Sequence, residues 1–499
     1  MKDWTVMVYM AGDNNLSEDM VTSLSRIGEK FANGSDKSKV AVLAYYDSGA
    51  TGFPSRLFDF PKNKFEELPF ETETSTDSVY AFVNWCVDKD KKGYKAKHYA
   101  LILSGHGDGF QPGSFLKDQT SNNAVTIKSL ADKLHKINKH ELKQKLDILG
   151  FDSCVMSSVE VAYEMSEAAE ILVGSQGYVP FYGWDYGKII EKMQTSQSEL
   201  TTTNVAQIFA ESFYESYLPY ADYAARSVDI CYCNLEGAKK VAGKVNILGE
   251  KLTEILQDRD AATSKQIEHL ILSSHWQCQT LLFDQCIDIS DFCQNFKKEC
   301  DVVGKDNQEI SEISRICGEI IQMVEDCAKS RQLGADFQFS TGLSLYFPWS
   351  YISYLITRPQ FLDLDFAVTK KNGNAPSGWT NFLDTYLFKT LRDYEKNTEI
   401  KKKIRPDQVK AKALENLAHP VLGVNPLEKN KVDPMVKDKV DPMVKDKLMT
   451  GSYIENFKRM KNFPWMEPRS LEYLFAKKTS GDRKKGDARN QKKGAGKRR

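Results

Sequence analysis

The chain has 499 residues, 41% of them hydrophobic, with 68 basic side chains balanced by 68 acidic ones. That length predicts about three domains at roughly 150 residues each, and no run reaches the roughly 18 uninterrupted apolar residues of a membrane span. Ten cysteines without CxxC spacing argue against a cysteine metal frame and read as reduced thiols.

The charge balance is uneven. Residues 477–499 hold eleven Lys/Arg and two Asp/Glu, a net of +9, which leaves the rest of this neutral chain at −9. No secretory leader is legible at the start, so the expected location is cytoplasmic, or nuclear through the basic tail.

Trp4–Met10 is a continuous apolar run closed by Asp13, Asn14 and Asn15, and it reads as the first strand. Leu16, Met20, Leu24 and Ile27 then recur at helical spacing, predicting a helix to Phe31 with Ser17 as its cap. Val40–Tyr46 is the second strand, and a looser stretch, 48–70, predicts a hairpin around Arg56–Phe60. Ser75 or Thr76 caps a helix bearing Val79, Phe82, Val83 and Cys86. Tyr99–Leu103 is the third strand, followed by a polar segment, 107–125. Ile127–Ile137 is helical and Leu146–Phe151 is the fourth strand. Val155–Glu167 reads as a helix starting immediately after Cys154, and Ile171–Gly174 as the fifth strand. Apolar runs separated by helical crossovers of roughly 10–15 residues predict an α/β fold, a three-layer sandwich with a mostly parallel sheet.

From Tyr186 the pattern turns helical, with helices near 186–194 and 202–218, a strand at Val228–Cys233, then helix to about 330. Leu343–Phe347 reads as a strand returning to the sheet, and Trp379–Leu387 as a late helix. The predicted division is a catalytic core over 1–190, a mainly helical region over 191–395, a linker with a docking segment over 396–476, and a disordered basic tail over 477–499. The linker contains three octads, VNPLEKNK, VDPMVKDK and VDPMVKDK, whose regular prolines permit neither a helix nor a central strand. Aromatic residues from Tyr453 to Phe475 supply the docking segment.

Open parallel sheets put their chemistry beyond the carboxyl ends of the strands. There the third strand breaks into Ser104-Gly105-His106-Gly107 and the fourth into Asp152-Ser153-Cys154. A thiol attacks an amide carbonyl as thiolate, so its pKa must fall from about 8.5 toward working pH. The helix expected after Cys154 favours that charge through its N-terminus. His106 takes the proton and returns it to the leaving amine, and the N–H groups of Gly107 and Cys154 form an oxyanion hole. Asp152 either caps the following helix or points into the same cavity, where a buried carboxylate wants a guanidinium or ammonium. The second orientation predicts cleavage after Arg or Lys. Asp185, in FYGWDYG, is either a second carboxylate of that pocket or an ordinary loop residue. The acidic run 283–292 has no calcium-loop spacing, and no metal site is expected from the residues.

The blocks WTVMVYMAGDNNL (4–16), YALILSGHGDGF (99–110), DILGFDSCVMSSVEVAYEM (147–165), GSQGYVPFYGWDYG (174–187) and GLSLYFP (342–348) resemble, in the same order, the clostripain family of cysteine peptidases. That family sits in the caspase, legumain and gingipain clan. The resemblance implies a caspase-like sandwich with a helical C-terminal region. It matches His106 to the catalytic histidine, Cys154 to the nucleophile, Asp152 to the aspartate associated with basic P1 selectivity, and Asp185 to a second acidic candidate. It further implies self-cleavage between histidine and cysteine, for which Lys117 is the best-placed site, and calcium stimulation in some members. No cofactor is otherwise required.

The expectation is therefore a cysteine endopeptidase acting on proteins or peptides after Arg or Lys. The alternatives are a transpeptidase or ligase of the same clan, or a catalytically silent scaffold that binds basic segments. The basic tail is read as a substrate for self-trimming, as a contact for anionic partners, or as a solvated charge run.

Overall fold

The computed structural model describes residues 1–396 apart from the stretches 33–37, 50–52, 70–71, 89–92, 112, 221–226, 258–260, 282–284, 305–306 and 370–374. The octad linker, the aromatic docking segment and the basic tail lie outside the described residues.

The strands in chain order are β1 (Lys2–Gly12), β2 (Val40–Ser48), β3 (Arg56–Asp59), β4 (Lys64–Glu67), β5 (Ala96–Ser104), β6 (Leu146–Asp152), β7 (Ala169–Gly174), β8 (Val228–Asn234), β9 (Thr280–Leu281), β10 (Cys286–Asp288), β11 (Ala328–Leu333) and β12 (Ser344–Tyr346). Nine of them form the main sheet, in the order β11-β8-β7-β6-β5-β1-β2-β3-β4. Its five central strands, β7-β6-β5-β1-β2, run parallel, and antiparallel strands extend it at both edges.

Alternation along the central strands explains the two covering layers, because successive side chains leave a strand on opposite faces. From β1, Trp4, Val6, Val8 and Met10 pack with Met20, Leu24 and Ile27 of helix α1 (Ser17–Phe31) on one face. Met7, Tyr9 and Ala11 pack on the other face, with Val79 and Phe82 of α2 (Thr76–Val87) and Leu130 and Leu134 of α3 (Ile127–Ile137). The expected three-layer sandwich is what the chain forms. Among the described residues, no helix is long and apolar enough to cross a membrane.

Three expectations change. Leu16 rather than Ser17 occupies the cap of α1, with no side-chain bond, while the Ser17 hydroxyl bonds the Tyr46 hydroxyl at 2.7 Å. The Leu343–Phe347 run does not return to the main sheet. Its strand β12 pairs antiparallel with β10 in a separate three-stranded sheet, and the edge beyond β8 is taken by β11. Finally, the helix expected at residue 155 begins only at Val159: α4 spans Val159–Met165, capped by the Ser158 hydroxyl on the Val161 N–H. Beyond residue 190 the chain contributes β8 and β11 to the main sheet.

Candidate active site

Pairing register sets the site. Met10 lies opposite Ser104 across β1 and β5, and Ser104 opposite Asp152 across β5 and β6, so β5 and β6 end level while β1 runs two residues further, to Gly12. His106 and Cys154, each two residues past its strand end, line one cavity together with Asp152. Asp19 and the segment Val179–Gly183 complete its walls. The cavity measures about 60 Å³, room for about two waters at roughly 30 Å³ each.

His106 Nε2 lies 2.6 Å from Asn15 Oδ1. A carboxamide oxygen only accepts, so Nε2 carries the proton and Nδ1 keeps its lone pair. Burial pushes His106 below the usual imidazole value, so the ring is neutral at neutral pH. Cys154 Sγ accepts the Val179 N–H at 3.3 Å. Burial pushes its thiol up to about 11, the charges of Asp108, Asp152 and Asp229 act in the same direction, and the Val179 N–H opposes them.

That thiol corrects the expected helix-dipole activation. Cys154 sits five residues before α4, and dipole stabilisation fades within the first turn of a helix. The intervening chain turns sharply instead. Val155 has φ +59, left-handed for a β-branched residue, a conformation costing on the order of 1–3 kcal/mol. Its N–H bonds Gly177 O at 2.9 Å, and its side chain is buried.

Gly107 packs directly on the nucleophile's backbone. A β-carbon there would lie 2.5 Å from Cys154 O and 3.1 Å from Cys154 N, so glycine is required for the approach. Among the described residues, neither the Gly107 nor the Cys154 N–H donates a hydrogen bond.

Asp152 is 6% exposed. Its Oδ2 accepts Ser104 Oγ at 3.0 Å and Tyr186 Oη at 2.8 Å, whereas Oδ1 has no hydrogen-bond partner among the described residues. Burial raises this carboxyl's pKa against the pull of those two hydroxyls and of the nearby Trp184 backbone N–H. Gly183, at φ +58, crosses over the carboxylate, and a β-carbon there would lie 2.8 Å from both oxygens. The capping alternative for Asp152 falls, because Ser158 caps α4.

Asp185 does cap a helix. Its Oδ1 accepts the Lys188 N–H at 3.1 Å at the start of α5 (Tyr186–Thr195), and it is not among the residues lining the cavity. The carboxylate that does join Asp152 there is Asp19 of α1, pushed up to about 6 by burial and by the neighbouring Glu18 charge. Asp19 was not among the residues expected at the site, because it lies on α1 and not beyond the ends of β5, β6 or β7. The signal was available: α1 leaves the carboxyl end of β1, which borders β5.

Lys117 is held rather than presented. Its carbonyl accepts Asn14 Nδ2 at 2.8 Å, its ammonium bonds Asn122 Oδ1 at 2.7 Å, and the Leu116 N–H bonds His106 O at 3.0 Å. Asp118 is fully buried and accepts the N–H groups of Thr74 and Ser121.

Asp13, Asp47 and Asp118 are buried near one another, but their oxygens already accept from Thr120, Ser55, Thr74 and Ser121. Among the described residues, no group of three or more His, Cys, Asp or Glu side chains is arranged to hold a metal ion.

The sequence model of the clostripain family matches residues 8–354. Clostripain of Hathewaya histolytica is 27% identical across 38% of this chain, and the match spans 42% of clostripain's own length. Among solved structures, a secreted C11 cysteine protease from Bacteroides thetaiotaomicron in complex with an irreversible peptide inhibitor aligns with a TM-score of 0.50. It is 17% identical and covers 73% of this chain and 100% of that one. The structure of the protease called iotapain, from the same organism, aligns with a TM-score of 0.50 at 16% identity, over 76% of this chain and 99% of that one. At these identities the structural likeness concerns the fold.

Proposed function

Since the chain belongs to the clostripain family, we propose that it is a cysteine endopeptidase cutting after Arg or Lys, with Cys154 as nucleophile and His106 as base and acid. The observation that carries this reading is the shared cavity, where His106 and Cys154 meet a buried carboxylate whose Oδ1 is unpaired. A buried carboxylate oxygen without a donor is costly, and a substrate guanidinium or ammonium repays that cost on binding. Asp19 adds a second negative charge to the same wall, consistent with a cationic P1 side chain.

In the mechanism we infer, thiol and imidazole start neutral. The substrate carbonyl oxygen is received by the N–H groups of Gly107 and Cys154. Sγ bonds to the carbonyl carbon as His106 takes the thiol proton on Nδ1, and the π electrons pass to oxygen. The tetrahedral intermediate collapses to a thioester, the C–N bond breaks, and the Nδ1 proton leaves with the amine. Water, deprotonated by Nδ1, then cleaves the thioester and returns the proton to Sγ. Self-processing after Lys117 belongs to the same proposal, with a second molecule or an opened form supplying the cut, because the Lys117 peptide is held in place.

Purified protein and its Cys154→Ala variant, each incubated with fluorogenic peptides bearing Arg, Lys or Asp at P1, test the reading. Turnover of the Arg and Lys peptides that disappears in the variant supports it. Tight binding of those peptides without turnover would replace it with the scaffold.

A further inference from the structure

The turn that closes β1 makes a contact that a two-residue mechanism leaves unexplained. Asn14 and Asn15 are adjacent and do different things. Asn14 is buried, and it serves the turn: its Nδ2 donates to Ala11 O and Lys117 O, each at 2.8 Å, and its Oδ1 accepts the Leu16 N–H at 2.9 Å. Asp13 clamps the same turn from the far side, accepting the Gln119 N–H on its carbonyl and the Thr120 N–H on Oδ2, both at 2.8 Å. Asn15 is exposed, and its carboxamide oxygen reaches His106 Nε2 at 2.6 Å.

We infer that Asn15 is a positioning residue: its carboxamide oxygen, held by a rigid turn, fixes His106 in the Nε2–H tautomer and leaves Nδ1 as the basic nitrogen. The inference rests on the Cys154–His106 reading above. A neutral imidazole has one proton and two nitrogens, and only the tautomer with Nδ1 free accepts the thiol proton there. When that proton arrives, the ring becomes a cation with an N–H at both nitrogens. A buried cationic N–H without an acceptor is unfavourable, whereas a charge-assisted bond to Asn15 Oδ1 strengthens as the charge appears. The contact therefore acts more on the charged transition state than on bound substrate, and its removal registers in kcat more than in KM.

The full chain, with Asn15→Ala and Asn15→Asp beside His106→Ala and Cys154→Ala, is assayed with an Arg-P1 fluorogenic peptide from pH 4 to 11. Asn15→Ala lowers kcat roughly 10- to 100-fold, leaves KM within about threefold, and moves the acid limb of kcat/KM to lower pH, because the imidazolium has lost an acceptor. Asn15→Asp restores most of kcat and moves that limb to higher pH, because a carboxylate accepts from the same N–H and favours the cation. The melting temperature of both stays within about 2 °C of the parent, as expected for an exposed side chain. Wild-type kcat in Asn15→Ala, or equal losses in both variants with an unmoved pH profile, would overturn the inference. Activity surviving in His106→Ala would instead remove the reading beneath it. Inactive His106→Ala and Cys154→Ala beside a fully active Asn15→Ala would remove only the role of Asn15.

Discussion

Asp152→Asn separates charge from shape at the proposed specificity site. The amide keeps the volume and can still meet the hydroxyls of Ser104 and Tyr186, which the carboxylate holds at 3.0 and 2.8 Å. It lacks the negative charge behind the unpaired Oδ1. A hydrogen bond to a charged group contributes about 1.5–3 kcal/mol, and each 1.36 kcal/mol is tenfold in rate, so kcat/KM for Arg and Lys peptides should fall roughly 10- to 150-fold. A Gln-P1 peptide, with no cation to lose, should change less than about threefold. Stability should move the other way. The folded carboxyl pKa lies above its unfolded value because burial disfavours the charge. The ionised form therefore costs stability at pH above the unfolded pKa, and that cost vanishes as pH falls below it. Asp152→Asn should melt higher than the parent at pH 7 and close to it at pH 3. Parallel assays on Arg, Lys and Gln peptides, with melting curves at both pH values, provide the check. An equal loss on all three peptides would refute the selectivity argument and make Asp152 a scaffold residue.

Gly107→Ala places a β-carbon 2.5 Å from Cys154 O and should lower kcat by on the order of 10²–10³ through the displaced oxyanion donors; kcat within tenfold of the parent would remove those N–H groups from the mechanism. The pH profile of kcat/KM should be broad, with an acid limb below the usual imidazole value and an alkaline limb near the thiol's value of about 11, since a neutral thiol and a neutral imidazole are the starting pair. An alkaline limb near the ordinary cysteine value of about 8.5 would refute the raised thiol. Intact-mass spectrometry over time should show a break after Lys117 that Cys154→Ala lacks; a rate rising with protein concentration would assign the cut to a second molecule, a constant rate to an opened form of the same one. The same spectra test trimming of the basic tail: equal tails in the parent and Cys154→Ala would end that idea.

Much of the sheet was legible because its central strands are buried on both faces and read as unbroken apolar runs, from Trp4–Met10 to Leu146–Phe151. Ser75 was legible as a cap, and it forms a complete capping box with Ser78. The helix after Cys154 was misplaced for a local reason: Val155, Val159 and Val161 give residues 155–161 a helix-compatible apolar content, while tertiary bonds to Gly177 and Ser175 hold the first of them out of the helix. Asp185 was drawn into the pocket by sequence proximity, although an aspartate three residues before a free N–H is equally a cap, and the cap prevails. The Asn15 contact was invisible, because spacing along the chain says nothing about a carboxamide beyond one strand reaching the residue beyond its neighbour.

The strained turn at Val155 explains why the C-terminal half is inseparable from the site. A left-handed valine persists only where its surroundings over-determine it, and here three elements do so. Gly177 O takes the Val155 N–H, and Ser175 O takes the Ser157 N–H, both at 2.9 Å. The Ser157 hydroxyl donates to Gly342 O at 2.6 Å, and Ser157 O receives the Ser344 N–H at 3.0 Å. The Ser175–Gly177 segment is itself fixed by β8, where the buried Asp229 carboxylate accepts the N–H groups of Gln176 and Gly177 at 2.7 and 2.8 Å. Gln176 in turn bridges Asp288 and the Gly342 N–H. The GLSLYFP block thus departs from the main sheet because its backbone braces the turn behind Cys154. Asp229, Asp288, Gly342 and Ser344 brace, directly or through Gln176, the turn that follows Cys154.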